Sequence, residues 1–399
     1  MPEFEISNRT KFMTESATLK MAQMARELGS KGIDIINLSL GEPDFDTPDH
    51  IKNAAKIALD KGYTKYTPVS GTLELRNAIS EKFLKENKLN YPPNQIIVSN
   101  GAKQSFANLC FAMLNEGDQV LIFSPYWVSY YEIVKLAGGV PICIDSTVEN
   151  NYKPSIDELK SKLSPSAKML VFSSPCNPTG TVFNKKNLED YVEVLADFPN
   201  LLVVSDEIYE LIIFDTEHIS IGSFPDMIDR TVTINGFSKG FSMTGWRLGY
   251  MGGPKTVIDA CTKIQGQFTS GACSFNQYAG ITALTSDLEP SYKMRDEFKK
   301  RRDLCHELLQ TIPGWIVNKP EGAFYFLPQV NFYFGKSFEG MVIQNSDDLA
   351  LYLLNYAHTA LVSGSAFGAP DCLRISYSLS QEKLKLAIQR IKDALAKLT

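Results

Sequence analysis

Histidine is scarce in this sequence, and its cysteines are unpaired. The 399 residues include four histidines, at positions 50, 218, 306 and 358, and none belongs to an H-x-x-x-H or H-x-E pattern. The seven cysteines form no C-x-x-C pair, and their number is odd. Such spacing is untypical of a zinc site or of a disulfide framework. We therefore predict no metal site, and we expect free thiols in a reducing compartment.

Positive charge is not in surplus, and long apolar runs are missing. A net charge of −5 and a pI near 5.6 disfavour a nucleic-acid binder. No apolar run approaches the roughly 20 residues that cross a bilayer. The opening MPEFEISNRT does not have the basic-then-apolar layout of a signal peptide. We expect a cytoplasmic protein that binds neither nucleic acid nor membrane.

Short apolar runs alternate with helical patterns through the middle of the chain. Seven runs are rich in Val and Ile and are bounded by turn residues, which is typical of buried parallel strands. They cover 95–99, 119–124, 140–145, 168–174, 201–206, 231–236 and 248–253. No G-x-G-x-x-G follows the first run and no Walker lysine is present, which disfavours a nucleotide-binding protein. We predict an α/β fold with a mainly parallel, doubly wound sheet.

The last third of the chain has a different pattern. A long charged helix is predicted over about 290–310, followed by the strand-like runs AFYFLP and LRISYS. An amphipathic final helix carries Leu384, Ile388, Ile391 and Leu395. We predict a large domain over 46–290, a smaller α+β domain over 291–399, and an N-terminal arm over 1–45 that contributes part of the small domain.

Several chemically distinctive residues follow the predicted strands, where open parallel sheets bind their ligands. A glycine turn opens a helix at Gly101, as at a phosphate site. Asp206 closes an apolar strand, where burial is costly without a cation. Each such residue alone has an ordinary structural explanation, such as a core tryptophan or a surface lysine. Together Gly101, Trp127, Asp206, Lys239 and Arg247 form the set that pyridoxal phosphate requires.

Eight motifs in this order resemble those of one enzyme family over nearly the whole chain. They are LGEPDFDTP (40–48), KYTPVSG (65–71), GAKQ (101–104), SPYWVSY (124–130), SPCNPTG (174–180), SDEIYE (205–210), SKGFSMTGWRLG (238–249) and LRISY (373–377). The chain is similar to the class I aminotransferases of the fold-type-I pyridoxal-phosphate family, in the bacterial aspartate aminotransferase branch. The resemblance implies a large domain with a seven-stranded, mainly parallel sheet, a smaller α+β domain, and a homodimer with shared active sites.

The resemblance also implies roles around the cofactor ring. Lys239 is the catalytic residue, which forms an imine with the cofactor aldehyde and then shuttles a proton. Asp206 is expected beside the pyridine nitrogen. Tyr209 and Asn177 are expected on either side of the phenolic oxygen, and Trp127 is expected to stack on the ring.

A second set is implied for the cofactor phosphate: Gly101, Ala102, Lys103, Ser238 and Arg247. Tyr66 resembles a tyrosine that reaches the phosphate of the neighbouring subunit, a role that requires a homodimer. The chain departs from the pattern at Gly236, where relatives carry a phosphate-binding serine, so one hydroxyl is missing. Cys176 stands where many relatives have asparagine, next to the contacting Asn177.

A third set is implied for the substrate: Gly41, Lys103, Trp127, Asn177 and Arg374. Arg374 is expected to hold the α-carboxylate through two parallel hydrogen bonds. Gly41 is expected to contact the same carboxylate from a lid that excludes water. Lys103 is a candidate for the distal carboxylate, with hydroxyls of Ser16 and Thr18.

The predicted reaction is transamination of L-aspartate with 2-oxoglutarate, which gives oxaloacetate and L-glutamate. Prephenate or an aromatic amino acid is the alternative substrate, because similar motifs occur in enzymes for both. A C–S lyase or a decarboxylase would use the same lysine, aspartate and arginine. A non-catalytic regulatory module is a further alternative.

Overall fold

The computed structural model describes residues 4–11, 13–14 and 17–399. Its largest sheet has seven strands, which occupy the seven predicted runs. In chain order the strands are β1 (Ile36–Asn37), β2 (Ile96–Ser99), β3 (Gln119–Phe123), β4 (Val140–Ile144), β5 (Ala167–Ser173), β6 (Leu202–Asp206), β7 (Thr231–Gly236), β8 (Gly249–Gly252), β9 (Tyr325–Phe326), β10 (Ser337–Phe338), β11 (Met341–Val342), β12 (Thr359–Ala360), β13 (Val362–Ser363) and β14 (Leu373–Ser376).

Thirteen α-helices accompany the strands within the described residues. They are α1 (Asn8–Lys11), α2 (Ala17–Ser30), α3 (Asp49–Asp60), α4 (Leu73–Lys82), α5 (Ala102–Met113), α6 (Val128–Leu136), α7 (Ile156–Lys162), α8 (Lys185–Leu195), α9 (Lys255–Phe268), α10 (Ser274–Thr285), α11 (Glu289–Leu309), α12 (Ser346–Tyr356) and α13 (Gln381–Leu395). Among these helices, none is both long and apolar enough to cross a membrane.

The seven-stranded sheet is mainly parallel, as predicted. Its spatial order is β2-β8-β7-β6-β5-β3-β4. The pairs from β7 across to β4 are parallel, whereas β8 runs antiparallel to both β2 and β7. The carboxyl ends of β3, β5, β6 and β7 therefore meet at one edge of the sheet.

Helices cover both faces of this sheet, because its strands are apolar on both sides. Along β3, Val120 and Ile122 pack with residues of α5, α6 and α9. Leu121 and Phe123 point the other way and pack with residues of α7 and α8. This two-sided burial confirms the doubly wound architecture.

The C-terminal part forms its own core around α11, α12 and α13. The final helix buries Leu384, Ile388, Ile391 and Leu395, as its period predicts. The N-terminal segment joins this core, since β1 pairs in parallel with β12 and α2 buries Met21 in the same cluster. The domain boundaries at residues 45 and 290 stay predictions.

Candidate active site

A cavity of about 270 Å³ lies at the carboxyl ends of the parallel strands. Its walls come from α2, from the large sheet and from the C-terminal part. Most residues that the sequence analysis singles out line this cavity: Gly41, Ala102, Lys103, Trp127, Asn177, Asp206, Tyr209, Ser238, Lys239, Arg247 and Arg374. Residues separated by more than 300 positions therefore meet in one place.

Asp206 ends β6 and is almost fully buried, with 4% of its surface exposed. Its carboxylate accepts hydrogen bonds from the Tyr130 hydroxyl at 2.5 Å and from the Ile208 backbone N–H at 3.1 Å. Burial raises the pKa of Asp206 to about 6 despite these bonds. Both donors are neutral, so a cation placed next to this carboxylate would stabilise its charged form.

Lys239 follows β7, in a turn that brings its side chain over the sheet edge. Its ammonium group donates a hydrogen bond to the Gly41 carbonyl and lies 5.7 Å from the centre of the Tyr209 ring. Burial lowers the pKa of Lys239 to about 8, and the guanidinium groups of Arg374 and Arg247 add to the shift. A substantial neutral fraction near pH 7 to 8 makes this amine a nucleophile and a base.

Arg374 lies on β14 and has 2% of its surface exposed. It donates to the Asn177 side-chain oxygen at 3.0 Å and to the Ser39 carbonyl at 2.5 Å. Its guanidinium carbon lies 4.7 Å from the Tyr325 ring centre and 4.8 Å from that of Phe367. Its buried Nε has no hydrogen-bond partner among the described residues. A buried guanidinium with an unused N–H suits an incoming carboxylate.

The amino end of α5 lies close to a guanidinium group. Gly101 precedes the helix with a φ of 86°, and a side chain there would come within 2.5 Å of the Arg247 guanidinium. Gly249 on β8 allows the same close packing, because a Cβ atom there would lie 2.4 Å from the Ala102 nitrogen. Free N–H groups at a helix start beside an arginine form an anion site.

Aromatic residues complete the cavity wall. Trp127 precedes α6, and the Lys103 ammonium lies 5.1 Å from the centre of its ring. The Tyr209 hydroxyl is hydrogen-bonded to the Tyr325 hydroxyl at 2.7 Å. Ser238 is buried next to Lys239, at the same edge. The structure thus supplies a flat ring, two phenols and a hydroxyl around the lysine amine.

Two predicted residues lie elsewhere. Gly101 is not a lining residue, although it caps the helix whose next residues line the cavity. Tyr66 is 98% exposed and does not line the cavity of its own chain. Of the two lid hydroxyls, Thr18 lines the cavity, whereas Ser16 lies outside the described residues.

Sequence reasoning missed two tyrosines. Tyr130 bonds to Asp206, and Tyr325 bonds to Tyr209. Tyr130 stands inside the quoted motif SPYWVSY, and Tyr325 stands in the strand-like run AFYFLP. Their positions next to sheet-edge motifs were the only indication, since their partners are distant in sequence.

One group with metal-ligand spacing occurs in the described part of the chain, away from the cavity. Ligand atoms of Glu207, Glu210 and His218 lie within 4.8 Å of one another. Lys82 already bonds to Glu210, and Asn87 donates to both glutamates. The prediction that the protein uses no metal stays a prediction.

The cavity fits the cofactor that the resemblance implies. Asp206 is a buried acid with neutral donors, which suits a protonated pyridine nitrogen. The helix start beside Arg247 suits a phosphate. The amine of Lys239, with its pKa lowered to about 8, suits bond formation with an aldehyde.

Comparisons with known proteins agree with this geometry. Residues 33–391 match the family model "Aminotransferase class I and II". The chain is 46% identical over 398 residues to a bifunctional aspartate aminotransferase and glutamate/aspartate-prephenate aminotransferase of Petunia hybrida, covering 98% of this chain and 83% of that protein. It is 44% identical over 388 residues to an aspartate aminotransferase of Bacillus sp. (strain YM-2), covering 97% and 98%.

A solved structure extends the similarity to three dimensions. The crystal structure of the aspartate aminotransferase from Rhizobium meliloti matches with a TM-score of 0.96 at 38% identity, over 100% of both chains. A family match over most of the chain and relatives above 40% identity establish common descent. The chain therefore belongs to the class I and II aminotransferases, which act with pyridoxal phosphate.

Proposed function

We propose that this aminotransferase exchanges an amino group between L-aspartate and 2-oxoglutarate, giving oxaloacetate and L-glutamate. The observation that carries the proposal is the pair of cations, Arg374 and Lys103, that share one cavity with the amine of Lys239. Two cations suit the two carboxylates of a dicarboxylic substrate. The Petunia and Bacillus relatives are both named as aspartate aminotransferases.

In this proposal, Asp206, Trp127, Tyr209 and Asn177 hold the cofactor ring. When bound, pyridoxal phosphate supplies an aldehyde that reacts with amines and a ring that withdraws electrons from the substrate α-carbon. Asp206 keeps the ring nitrogen protonated, because the buried carboxylate favours a nearby cation. Trp127 would cover one face of the ring, while the Tyr209 hydroxyl and the Asn177 amide would hold its edge.

The phosphate is assigned to the start of α5, to Ser238 and to Arg247. Backbone N–H groups of Ala102 and Lys103 are free at a helix start, where the helix dipole also favours an anion. The close approach of Arg247 to Gly101 adds a full positive charge. A phosphate held by these residues would fix the position of the cofactor ring in the cavity.

Lys239 is the proposed acid and base of the reaction. Its pKa of about 8 lets it accept a proton from the substrate α-carbon and return it near neutral pH. Arg374 holds the α-carboxylate, so that the α-carbon stays within reach of this amine. Thr18, Leu19 and Gly41 line the outer side of the cavity, and we propose that they exclude water when substrate binds.

An absorption spectrum of the purified protein with its cofactor tests the function. A visible band that shifts on addition of aspartate is expected. Borohydride reduction followed by peptide mapping should place the cofactor on Lys239. Stoichiometric oxaloacetate and glutamate from aspartate and 2-oxoglutarate support transfer, whereas pyruvate and ammonia would show an eliminating enzyme instead.

Lys103 carries the proposed preference for a dicarboxylate. We expect Lys103→Ala to lower kcat/KM for aspartate by about 10- to 100-fold, the effect of one lost charge-assisted hydrogen bond. Activity with alanine or phenylalanine should change little, because neither has a distal carboxylate. Lys103→Arg, which keeps the charge, is the matched control. Equal losses of kcat/KM with all three amino acids would show that Lys103 does not recognise the substrate.

Prephenate is the second candidate substrate, because it also has two carboxylates. The Petunia relative is named for both activities. Leu19, 65% exposed and lining the cavity, offers an apolar surface to a substrate ring. Incubation with aspartate and prephenate, with arogenate as the measured product, separates a dual enzyme from one restricted to 2-oxoglutarate.

We also propose a homodimer in the cytoplasm. Tyr66 is 98% exposed and does not line the cavity of its own chain. A second copy packed against the surface around Tyr66 would place this tyrosine near the partner's phosphate site. All seven cysteines are free thiols, as expected in a reducing compartment.

A further inference from the structure

Asp206 and Tyr209 belong to one short turn, in which Glu207 and Glu210 do not line the cavity. The backbone N–H of Glu210 donates to the Glu207 carbonyl at 2.9 Å, so the chain makes a single tight turn after β6. Residues 206, 208 and 209 line the cavity. Glu207 and Glu210 instead contact the end of α4 and the short helix that follows it.

Glu207 is completely buried, and three separate parts of the chain hold its carboxylate. It accepts hydrogen bonds from Ser205 at 2.9 Å, from Ser220 at 2.6 Å and from the side-chain amide of Asn87 at 3.0 Å. The His218 Nε2 lies 2.9 Å from the same carboxylate. Because hydrogen bonds hold the Glu207 carboxylate from three sides, its position is fixed.

The neighbouring Glu210 is held by a buried lysine. The Lys82 ammonium, 5% exposed, bonds to Glu210 and donates to the Asn87 side-chain oxygen at 2.6 Å. Asn87 in turn donates to Glu210 at 2.8 Å. Burial opposes the charged imidazole, but the Glu207 carboxylate outweighs it and raises the pKa of His218. Two carboxylates thus face the Lys82 ammonium and the His218 ring.

Burying the charged groups of this cluster carries a desolvation cost that stability alone does not explain. Apolar side chains of similar volume are often as stabilising as a buried ionic cluster, or more so. An ionic cluster differs in that each partner must sit at hydrogen-bond distance, which fixes the geometry of the segment that carries it. Consecutive Cα atoms are about 3.8 Å apart, so a displaced Glu207 displaces Asp206.

We propose that Glu207, held by His218, Ser220 and Asn87, is a positioning residue that fixes the Asp206 carboxylate against the cofactor ring nitrogen. The inference rests on the proposed function, in which Asp206 touches that nitrogen. Glu207 itself touches neither cofactor nor substrate. Its effect passes through the backbone of the turn to the cavity side.

The test compares three variants of the holoenzyme: Glu207→Gln, His218→Gln and the control Glu86→Gln. Glu86 also lies near the Lys82 ammonium, at 3.7 Å, but it is at the rim of the cluster and outside the turn. For Glu207→Gln and His218→Gln we expect about 10- to 100-fold weaker binding of pyridoxal phosphate and a shifted pH midpoint of the visible band, as for other lost supporting contacts. Glu86→Gln should match the parent in both.

Melting temperatures of the cofactor-free proteins separate positioning from folding. Lower melting temperatures with the parent's affinity and band midpoint would overturn the proposal, because the cluster would then act on stability alone. A Glu86→Gln effect as large as that of Glu207→Gln would also overturn it, because net charge would explain both. If Glu207→Gln does not fold, His218→Gln tests the proposal in its place. The His218 ring lies at the edge of the cluster, so its replacement should disturb folding less. If the parent protein shows no visible band with pyridoxal phosphate, the proposed function is wrong, and this inference is wrong with it.

Discussion

Tyr130 affects the protonation state of Asp206, the residue that ends β6. Its hydroxyl donates to Asp206 at 2.5 Å. Its ring is held edge-on against Trp127, with centres 5.3 Å apart, and against Phe106, at 4.9 Å. The hydrogen bond stabilises the carboxylate form and thereby limits the rise in the pKa of Asp206 that burial causes.

Tyr130→Phe should therefore weaken cofactor binding. Loss of the hydroxyl raises the pKa of Asp206 above about 6, so more of the acid is protonated at neutral pH. A neutral acid no longer attracts a pyridinium, and we expect about tenfold weaker binding of pyridoxal phosphate at pH 7, by the size of a charged hydrogen bond. The loss should shrink at pH 9, where the carboxylate form returns.

Titration of the cofactor-free protein with pyridoxal phosphate at several pH values measures this effect. Tyr126→Phe is the matched control, because Tyr126 is buried in the same motif but stacks on Tyr131, away from Asp206. The same loss at every pH, or the same loss in the control, would contradict the electrostatic explanation.

The reactivity of Lys239 should follow its lowered pKa. The neutral amine fraction rises about tenfold per pH unit below the pKa and levels off above it. With a pKa of about 8, the rate at which the cofactor-free protein captures pyridoxal phosphate should rise from pH 6 to 8 and then flatten. Growth of the visible band after rapid mixing gives this rate. A rise that continues to pH 10, as in a free lysine model compound, would show an unperturbed amine.

Individual site residues were predictable where a motif marked a strand end. Asp206, Lys239 and Arg374 follow or lie in short apolar runs, and all three line the cavity. Tyr130 and Tyr325 were not predictable, because their partners lie 76 and 116 positions away. Contacts of that length depend on how strands and helices pack, which no local pattern encodes.

At the scale of elements, the position of α5 depends on a glycine in a neighbouring strand. Gly249 on β8 faces the first residues of α5, and a Cβ atom there would lie 2.4 Å from the Ala102 nitrogen. The close approach brings the start of α5 and Arg247 to the same edge of the sheet. A larger residue has to displace backbone, since no flexible side chain is in the way.

Gly249→Ala should therefore loosen the phosphate site. We expect about tenfold weaker binding of pyridoxal phosphate and a loss of roughly 1–3 kcal/mol in unfolding free energy, as for other overpacked sites. Binding of pyridoxal, which has no phosphate, should change much less. Gly245→Ala is the control, because a Cβ atom there would meet nothing within 4 Å. An equal loss for both ligands would show a general distortion instead.

The long elements were predictable and the shortest were not. All seven central strands match predicted runs to within one residue at each end, because buried strands are apolar and bounded by turns. The strands of the β10–β11 hairpin, and β12 and β13, have two residues each, too few for any period to show. The reversed direction of β8 also escaped prediction, since its run resembles those of the parallel strands.

At the scale of the whole molecule, the site is proposed to be complete only in a pair of chains. Tyr66 is 98% exposed, and Tyr63 beside it stacks on Tyr278 of the same chain, with ring centres 4.7 Å apart. We expect a mass in solution of twice 44.5 kDa by sedimentation. A monomer that retains full activity would contradict a shared site.

Tyr66→Phe should weaken cofactor binding without dissociating the dimer. One hydrogen bond to a phosphate is lost, which corresponds to about tenfold in affinity. Tyr63→Phe is the control and should bind like the parent, because its ring contacts its own chain. Titration with pyridoxal phosphate and sedimentation of the same samples provide both readouts. If Tyr66→Phe binds pyridoxal phosphate as tightly as the parent, Tyr66 does not contact the phosphate.

The pairing of β1 with β12 has a consequence for synthesis of the chain on the ribosome. The partners of residues 36–37, at 359–360, emerge more than 300 residues after them. The central sheet is complete in sequence by residue 252, so it can assemble during translation while the N-terminal segment waits. A nascent chain halted before residue 359 would contain Lys239 and Asp206, but it would lack the partner of β1 and Arg374, which we propose binds the substrate.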